Sequence, residues 1–237
     1  MIGACNPSGF LNLLNGRPSG AVLFEPYIPQ KLAERLIWRA GGTLWDSPEH
    51  RLDTLSDVYA YLGAGTVTVD AVGTDAGALC EMLEKRGDGC IYTVIADSVP
   101  DLRRFDACRS VLALASHRPL DGDFDKPLIL LADENSDPVR ARDEADGCGM
   151  KGVYLSGRIP VDAVLEKSCE GPVILGGLGA AFLNSSGPLT IYARVRELLQ
   201  RSAGHWAIGS GNAGGEIEYL SFISMLGIYN KIKNEEY

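Results

Sequence analysis

Apolar residues in this chain fall into two alternating patterns. One is a set of short, nearly unbroken runs rich in Val, Ile and Leu: Ala21–Glu25, Thr66–Asp70, Cys90–Asp97, Val111–Ser116, Pro127–Asp133, Gly152–Ser156, Pro172–Gly176 and Trp206–Ser210. Continuous apolar runs of this length mark parallel strands covered on both faces. The other pattern fills the gaps with apolar residues three or four apart: Leu32 and Leu36; Leu55, Tyr59 and Leu62; Ala76, Leu79 and Leu83; Leu102 and Phe105; Val161, Val164 and Leu165; Ile191, Val195, Leu198 and Leu199; Leu220, Ile223 and Leu226. That spacing puts one greasy stripe on each helix. Helix starts are marked by Ser47-Pro48-Glu49, Ser136-Asp137-Pro138 and Gly187-Pro188, a capping residue or glycine before a first-turn proline.

Eight strands alternating with helices predict parallel pairing through right-handed crossovers, and eight is the number that closes a barrel. The expected fold is therefore α/β, a (βα)8 TIM barrel forming a single domain over residues 1–237. The segment 1–20, with a short helix at Phe10–Leu14, is expected to lie outside the barrel. An open doubly wound sheet is the competing arrangement. The strand count, and the lack of a Gly-rich dinucleotide fingerprint after the first strand, favour the barrel.

Composition narrows the function classes. The 237 residues suit one such barrel, and at 46% hydrophobic and 22% charged they can bury a full core. No apolar run is long enough to cross a bilayer. The first residues, Met1 to Pro7, lack a basic patch followed by an apolar stretch, so a cytoplasmic protein is expected. Net charge is −9 and no basic stripe is visible, which argues against nucleic acid as a partner. The six cysteines show no C-x-x-C spacing and read as reduced thiols.

In a barrel of this kind the chemistry sits where the strands end. The first run ends in Glu25-Pro26-Tyr27, the second in Asp70, the third in Asp97, the fourth in Ser116-His117-Arg118, the fifth in Asp133 and the sixth in Ser156-Gly157-Arg158. The last two lead into Gly176-Gly177-Leu178-Gly179 and Gly209-Ser210-Gly211-Asn212. Converging carboxylates repel, so such a face either raises the pKa of one or gathers a cation. Strand-end Asp and Asn also simply turn the chain and cap the next helix. Asp70 and His117 stand out as candidate catalytic groups. Glu25, Tyr27, Arg39, Asp97, Arg118, Asp133, Ser156, Arg158, Gly176, Gly177, Ser210 and Asn212 are candidates for binding substrate. The glycine turns can approach an anion closely, or merely turn tightly. His50 and His205 fall away from strand ends and read as structural.

The run Phe10–Arg17 leading into Val22-Leu23-Phe24-Glu25-Pro26-Tyr27 resembles the opening of the uroporphyrinogen decarboxylase superfamily, which also holds cobalamin-dependent methyltransferases. Leu62-Gly63-Ala64 before a strand ending in Asp70, Pro172–Leu178 with Phe182-Leu183-Asn184, the helix Ile191–Leu199, and the stretch from Gly209 to Tyr229 are similar to later parts of that family. The resemblance implies a (βα)8 barrel, with the decarboxylase's catalytic Asp at Asp70. The chain departs from the pattern in three places. Arg39-Ala40-Gly41-Gly42 lacks the second arginine of the family's Arg-Gln-Ala-Gly-Arg signature. Asn212 stands near the decarboxylase's C-terminal His. The methyltransferases' zinc ligands, a His-x-Cys pair on the sixth strand and a Cys after the eighth, are replaced by Leu155-Ser156-Gly157 and Asn212.

The reading that follows is a decarboxylase-type lyase acting on a tetrapyrrole or another carboxylated small molecule. Asp70 would stabilise a protonated pyrrole, Arg39 or Arg118 would hold carboxylates, and His117 would relay protons. The alternatives are a corrinoid-dependent methyltransferase without the thiol-activating zinc, and a barrel that binds a ligand or partner without catalysis. A metal-dependent aldolase or hydrolase using Glu25, Asp70, Asp97 and Asp133 is a fourth. No cofactor is required by the first reading; cobalamin or a divalent metal belongs to the others. The expected partner is a small molecule, with a homodimer as the open assembly state and a corrinoid protein if methyl groups are transferred.

Overall fold

The computed structural model describes residues 5–28, 35, 48–89, 91–133, 135–156, 161–165, 170–211 and 217–235. The apolar runs become strands whose side chains alternate between two buried faces. The named strands are β1 (Val67–Asp70), β2 (Tyr92–Ile95), β3 (Val111–Ser116), β4 (Leu128–Leu131), β5 (Gly152–Leu155), β6 (Val173–Gly176) and β7 (Trp206–Ala207). They pair in parallel and in sequence order, β1 through β7. On one face Ile95, Ala113, Ala115, Ile129, Leu131, Tyr154, Val173, Leu175 and Ala207 share a cluster. Their neighbours Val94, Val111, Leu114, Leu128, Leu130, Val153, Leu155, Ile174 and Trp206 pack in the other cluster, under the helices. A strand buried on both sides has no polar period, which is why the sequence runs are unbroken.

The sheet is strongly curled and open. This corrects the closed eight-stranded barrel expected from the run count. Ala21–Glu25 forms no strand; Leu23 makes a single parallel bridge to Ile208. The crossing is nevertheless tied on both sides. Phe24 N–H donates to the Ile208 carbonyl at 2.9 Å, Ile208 N–H to Val22 at 2.8 Å, and Gly65 N–H to Leu23 at 2.7 Å. Pro26 follows directly and has no amide hydrogen to extend a ladder.

Helices connect most strands and pack outside them. Those before β1 are α1 (Pro7–Leu14) and α2 (Pro48–Leu62). Then come α3 (Ala76–Arg86), α4 (Val99–Ala107), α5 (Pro138–Gly147), α6 (Asp162–Leu165), α7 (Ala180–Ser185), α8 (Pro188–Arg201) and α9 (Tyr219–Glu235). Residues 117–127, between β3 and β4, carry no helix. Side chains satisfy the free amides of the first turns. Asp75 accepts from Gly77 and Ala78, Ser98 from Asp101, and Asp137 from Val139 and Arg140.

Two sequence expectations change. The segment containing α1 was expected outside the barrel, yet Phe10, Leu13 and Leu14 are buried in the inner cluster. The Phe10 ring stacks on Phe24 with centroids 5.0 Å apart. In α9 the stripe was read through Leu220, which is 73% exposed. Leu226 of that stripe is buried and Ile223 packs against the core; Phe222, Met225, Tyr229 and Ile232 complete the buried face, anchored by the Tyr229 hydroxyl donating to the Gly63 carbonyl at 2.8 Å. The expected helix stripe at Leu32 and Leu36 lies outside the described residues. Among the described residues no helix is long and apolar enough to cross a membrane.

Candidate functional site

Parallel strands deliver their C-terminal ends to one rim, so groups far apart in sequence meet there. Asp97 follows β2 and His117 follows β3, the neighbouring strand. The Asp97 carboxylate is the hub. Its Oδ1 accepts from the His117 amide at 2.8 Å and from the Ser116 hydroxyl at 3.2 Å. The His117 Nδ1 lies 3.0 Å from both carboxylate oxygens. Ser116 Oγ in turn accepts from the Arg118 amide at 3.1 Å. On the far side of the imidazole, Nε2 is hydrogen-bonded to the Tyr27 hydroxyl. The two rings lie 17° from parallel with centroids 6.1 Å apart.

Charge and donor inventory set the proton positions. Partial burial works against the ionised Asp97, but the His117 amide, the imidazole and the Ser116 hydroxyl outweigh it and hold the carboxyl below its usual range. An ionised carboxylate only accepts, so Nδ1 carries the hydrogen and Nε2 is left to accept from Tyr27. Burial, with the charges of Asp70 and then Asp97, pushes the Tyr27 phenol well above its ordinary value, so it stays protonated. The result is a chain Asp97–His117–Tyr27 with the proton of each donor pointing along it. His117 and Arg118 are exposed at the rim, and among the described residues no carboxylate pairs with Arg118.

The remaining candidates divide. Asp70 is exposed, accepts from the Val72 amide at 3.0 Å in a tight turn, and acts on Tyr27 through its charge. Asp133 accepts from the Asn135 amide at 2.8 Å and serves the turn after β4. Ser156 is buried at the end of β5. Glu25 is buried rather than open to solvent: it is 1% exposed, and Ser210 meets it with both its amide and, at 2.8 Å, its hydroxyl. Burial drives the Glu25 carboxyl up to about 8, against the Ser210 amide, the Ser210 hydroxyl and the Tyr154 phenol. The acidic arc read from the sequence is thus split between a solvent-facing part and a neutral, buried acid. Arg39, Arg158 and Asn212 lie outside the described residues. Among the described residues no three His, Cys, Asp or Glu side chains cluster to hold a cation.

The glycine turns have a packing explanation. Gly176 has φ +75°, and a Cβ there would sit 2.6 Å from a Tyr154 ring carbon. A Cβ on Gly209 would sit 2.6 Å from the Phe24 carbonyl oxygen. The next amides are already used: Leu178 N–H donates to Gly209 at 3.4 Å and Gly179 N–H to Ser210 at 2.8 Å. Gly177 has φ +89° and packs against Val161. At Gly176 and Gly209 the missing side chain thus admits neighbouring chain; residues 212–216, which continue the second turn, lie outside the described residues. Sequence reasoning missed Tyr154, and it placed Ser116 at a strand end without giving it a role. Tyr154 sits on the inner period of β5, and only knowing which face turns inward would have placed it beside Glu25.

Fold and site together define a parallel α/β protein with a hydrogen-bonded Asp97–His117–Tyr27 chain at the C-terminal rim of its curled sheet. No protein-family model matches the chain, and no curated protein matches it.

Proposed function

We propose that this chain is a decarboxylase-type lyase acting on a carboxylated small molecule at the strand-end rim. The observation that carries the functional reading is the Asp97–His117–Tyr27 chain, two residues of which stand at adjacent strand ends. It is supported by the resemblance of Phe10–Tyr27 and Pro172–Leu178 to the uroporphyrinogen decarboxylase superfamily.

The chemistry follows from what each group can hold. Arg118, without a described acid partner, takes a substrate carboxylate. Tyr27 turns its hydroxyl from His117 to the carbon bearing the leaving carboxylate and gives it the proton; His117 Nε2, exposed at the rim, then takes a proton from solvent and passes it to the phenolate, while Asp97 holds Nδ1–H. Asp70 faces the positive charge that appears on an electron-rich ring when its carbon is protonated. The carbon–carbon bond then breaks, its electron pair returns to the ring and carbon dioxide leaves: the carboxylate has been replaced by hydrogen. Positioned proton transfer of this kind contributes about 10²–10⁴ in rate.

The test is carbon dioxide release by the purified chain from uroporphyrinogen and from smaller carboxylated pyrroles, at pH about 6 to 8, where histidine ordinarily titrates. The expected result is turnover that falls by about 10² or more in Tyr27→Phe and His117→Gln. No release from any of these acids, or release indifferent to both substitutions, overturns the proposal.

A further inference from the structure

Glu25 is the buried acid that the rim chemistry leaves unused. It touches neither Asp97 nor His117, yet it is the residue where the crossing leaves the sheet. Pro26 removes the next amide, so no ladder holds the chain beyond this point. Side-chain bonds do so instead. The Glu25 carbonyl accepts from the Tyr59 hydroxyl of α2 at 2.7 Å and from the Thr68 hydroxyl of β1 at 3.5 Å. Its carboxyl meets Ser210, beyond β7, through the amide and the hydroxyl. One residue thus ties the crossing to both of its neighbours. Tyr27, the end of the relay, follows two residues later.

We propose that Glu25 is the positioning residue of the rim: its carboxyl fastens the crossing to Ser210 and so sets the Tyr27 hydroxyl on His117 Nε2. The inference rests on reading Asp97–His117–Tyr27 as the site. The titratable groups facing Glu25 are Tyr154 from β5 and Tyr59 from α2; among the described residues no lysine or arginine pairs with it. Ionisation would leave a charge that Ser210 and the phenols only partly compensate, with no cation among the described residues to answer it, and a buried charge so placed moves toward water. The crossing would then carry Tyr27 away from His117. Burial places that event near pH 8, since it drives the carboxyl up to about 8.

The experiment follows the His117 ring nitrogens by NMR in the ¹⁵N-labelled full chain, from about pH 7.5 to 9.5, where ordinary histidine titration is nearly complete. Tyr27→Phe marks the ring position when the hydroxyl is gone. In the wild type the His117 resonances are expected to move to that position as pH passes about 8. Glu25→Gln keeps a hydrogen-bonding group and carries no charge, so its resonances are expected to hold across the range. Glu25→Ala is expected at the Tyr27→Phe position at every pH. A purely structural Glu25 would lower stability without moving these signals in the folded protein. Unchanged His117 resonances in Glu25→Ala and in the wild type at high pH overturn the positioning role while leaving the site intact. Resonances that Tyr27→Phe itself fails to move overturn the site. Should Glu25→Ala not fold, the contrast between the wild type and Glu25→Gln decides alone.

Discussion

The neutral acid under the rim makes stability fall with rising pH, and the size of the fall can be worked out. Glu25 has an ordinary carboxyl pKa of 4.5 when exposed and about 8 in the fold. Below the lower value both folded and unfolded chains keep the proton, and pH has no effect through this group. Between the two values the unfolded chain has released its proton while the folded chain retains it. Unfolding is then favoured by about 1.36 kcal/mol for each pH unit. Across the whole interval the loss is ~5 kcal/mol, a large share of the roughly 5–15 kcal/mol by which domains are stable. Above the upper value the loss stops growing. Acids with lowered pKa act in the opposite sense. Asp97 and Asp162 stabilise the fold above the ordinary aspartate range, and that contribution is lost as pH falls through their lower folded values.

Comparing the wild type with Glu25→Gln isolates the Glu25 term, because all other groups titrate in both. Urea unfolding followed by far-ultraviolet circular dichroism, at several pH values from about 5 to 8, gives the free energies. The gap between the two proteins is expected to shift by ~3–5 kcal/mol in favour of Glu25→Gln as pH rises. The urea slope should be the same for both. Parallel pH curves would show that Glu25 is ionised in the fold throughout, and the account of the buried acid would be wrong.

Three further outcomes check other parts of the structure. Gly176→Ala places a methyl at φ +75° and 2.6 Å from the Tyr154 ring, and is expected to cost about 2–4 kcal/mol in thermal or urea unfolding; a neutral result would show that this turn is not tightly packed. Phe10→Ala empties the space under Phe24 and is expected to cost about 3–5 kcal/mol, measured the same way, where a peripheral helix would lose almost nothing. Asp97→Asn removes the charge that orients His117 and is expected to lower the rate of carbon dioxide release by about 10² with little change in KM; an unchanged rate would remove Asp97 from the relay.

Local pattern determined a good deal of this protein. Val111–Ser116 is a strand with the same bounds the apolar run predicts, and six other runs hold strands trimmed by one to four residues at their ends. Asp75, Ser98 and Asp137 cap helices because their side chains reach amides two or three residues on, a geometry that short sequence stretches contain in full. Asp70, Asp97 and His117 could be placed on one rim because parallel strands all point the same way. Tertiary structure decided the rest. Ala21–Glu25 reads as a strand like the others, but Pro26 and its neighbours leave it a single bridge. Glu25 and Asp97 look alike as strand-end acids; one is neutral and buried, the other ionised on a histidine. That difference depends on Ser210, 185 residues from Glu25, and on Tyr27, 90 residues from His117. Periodicity and turn chemistry act over a few residues and are written locally. Burial and charge compensation depend on which distant side chain arrives opposite, and that is set only when the sheet curls.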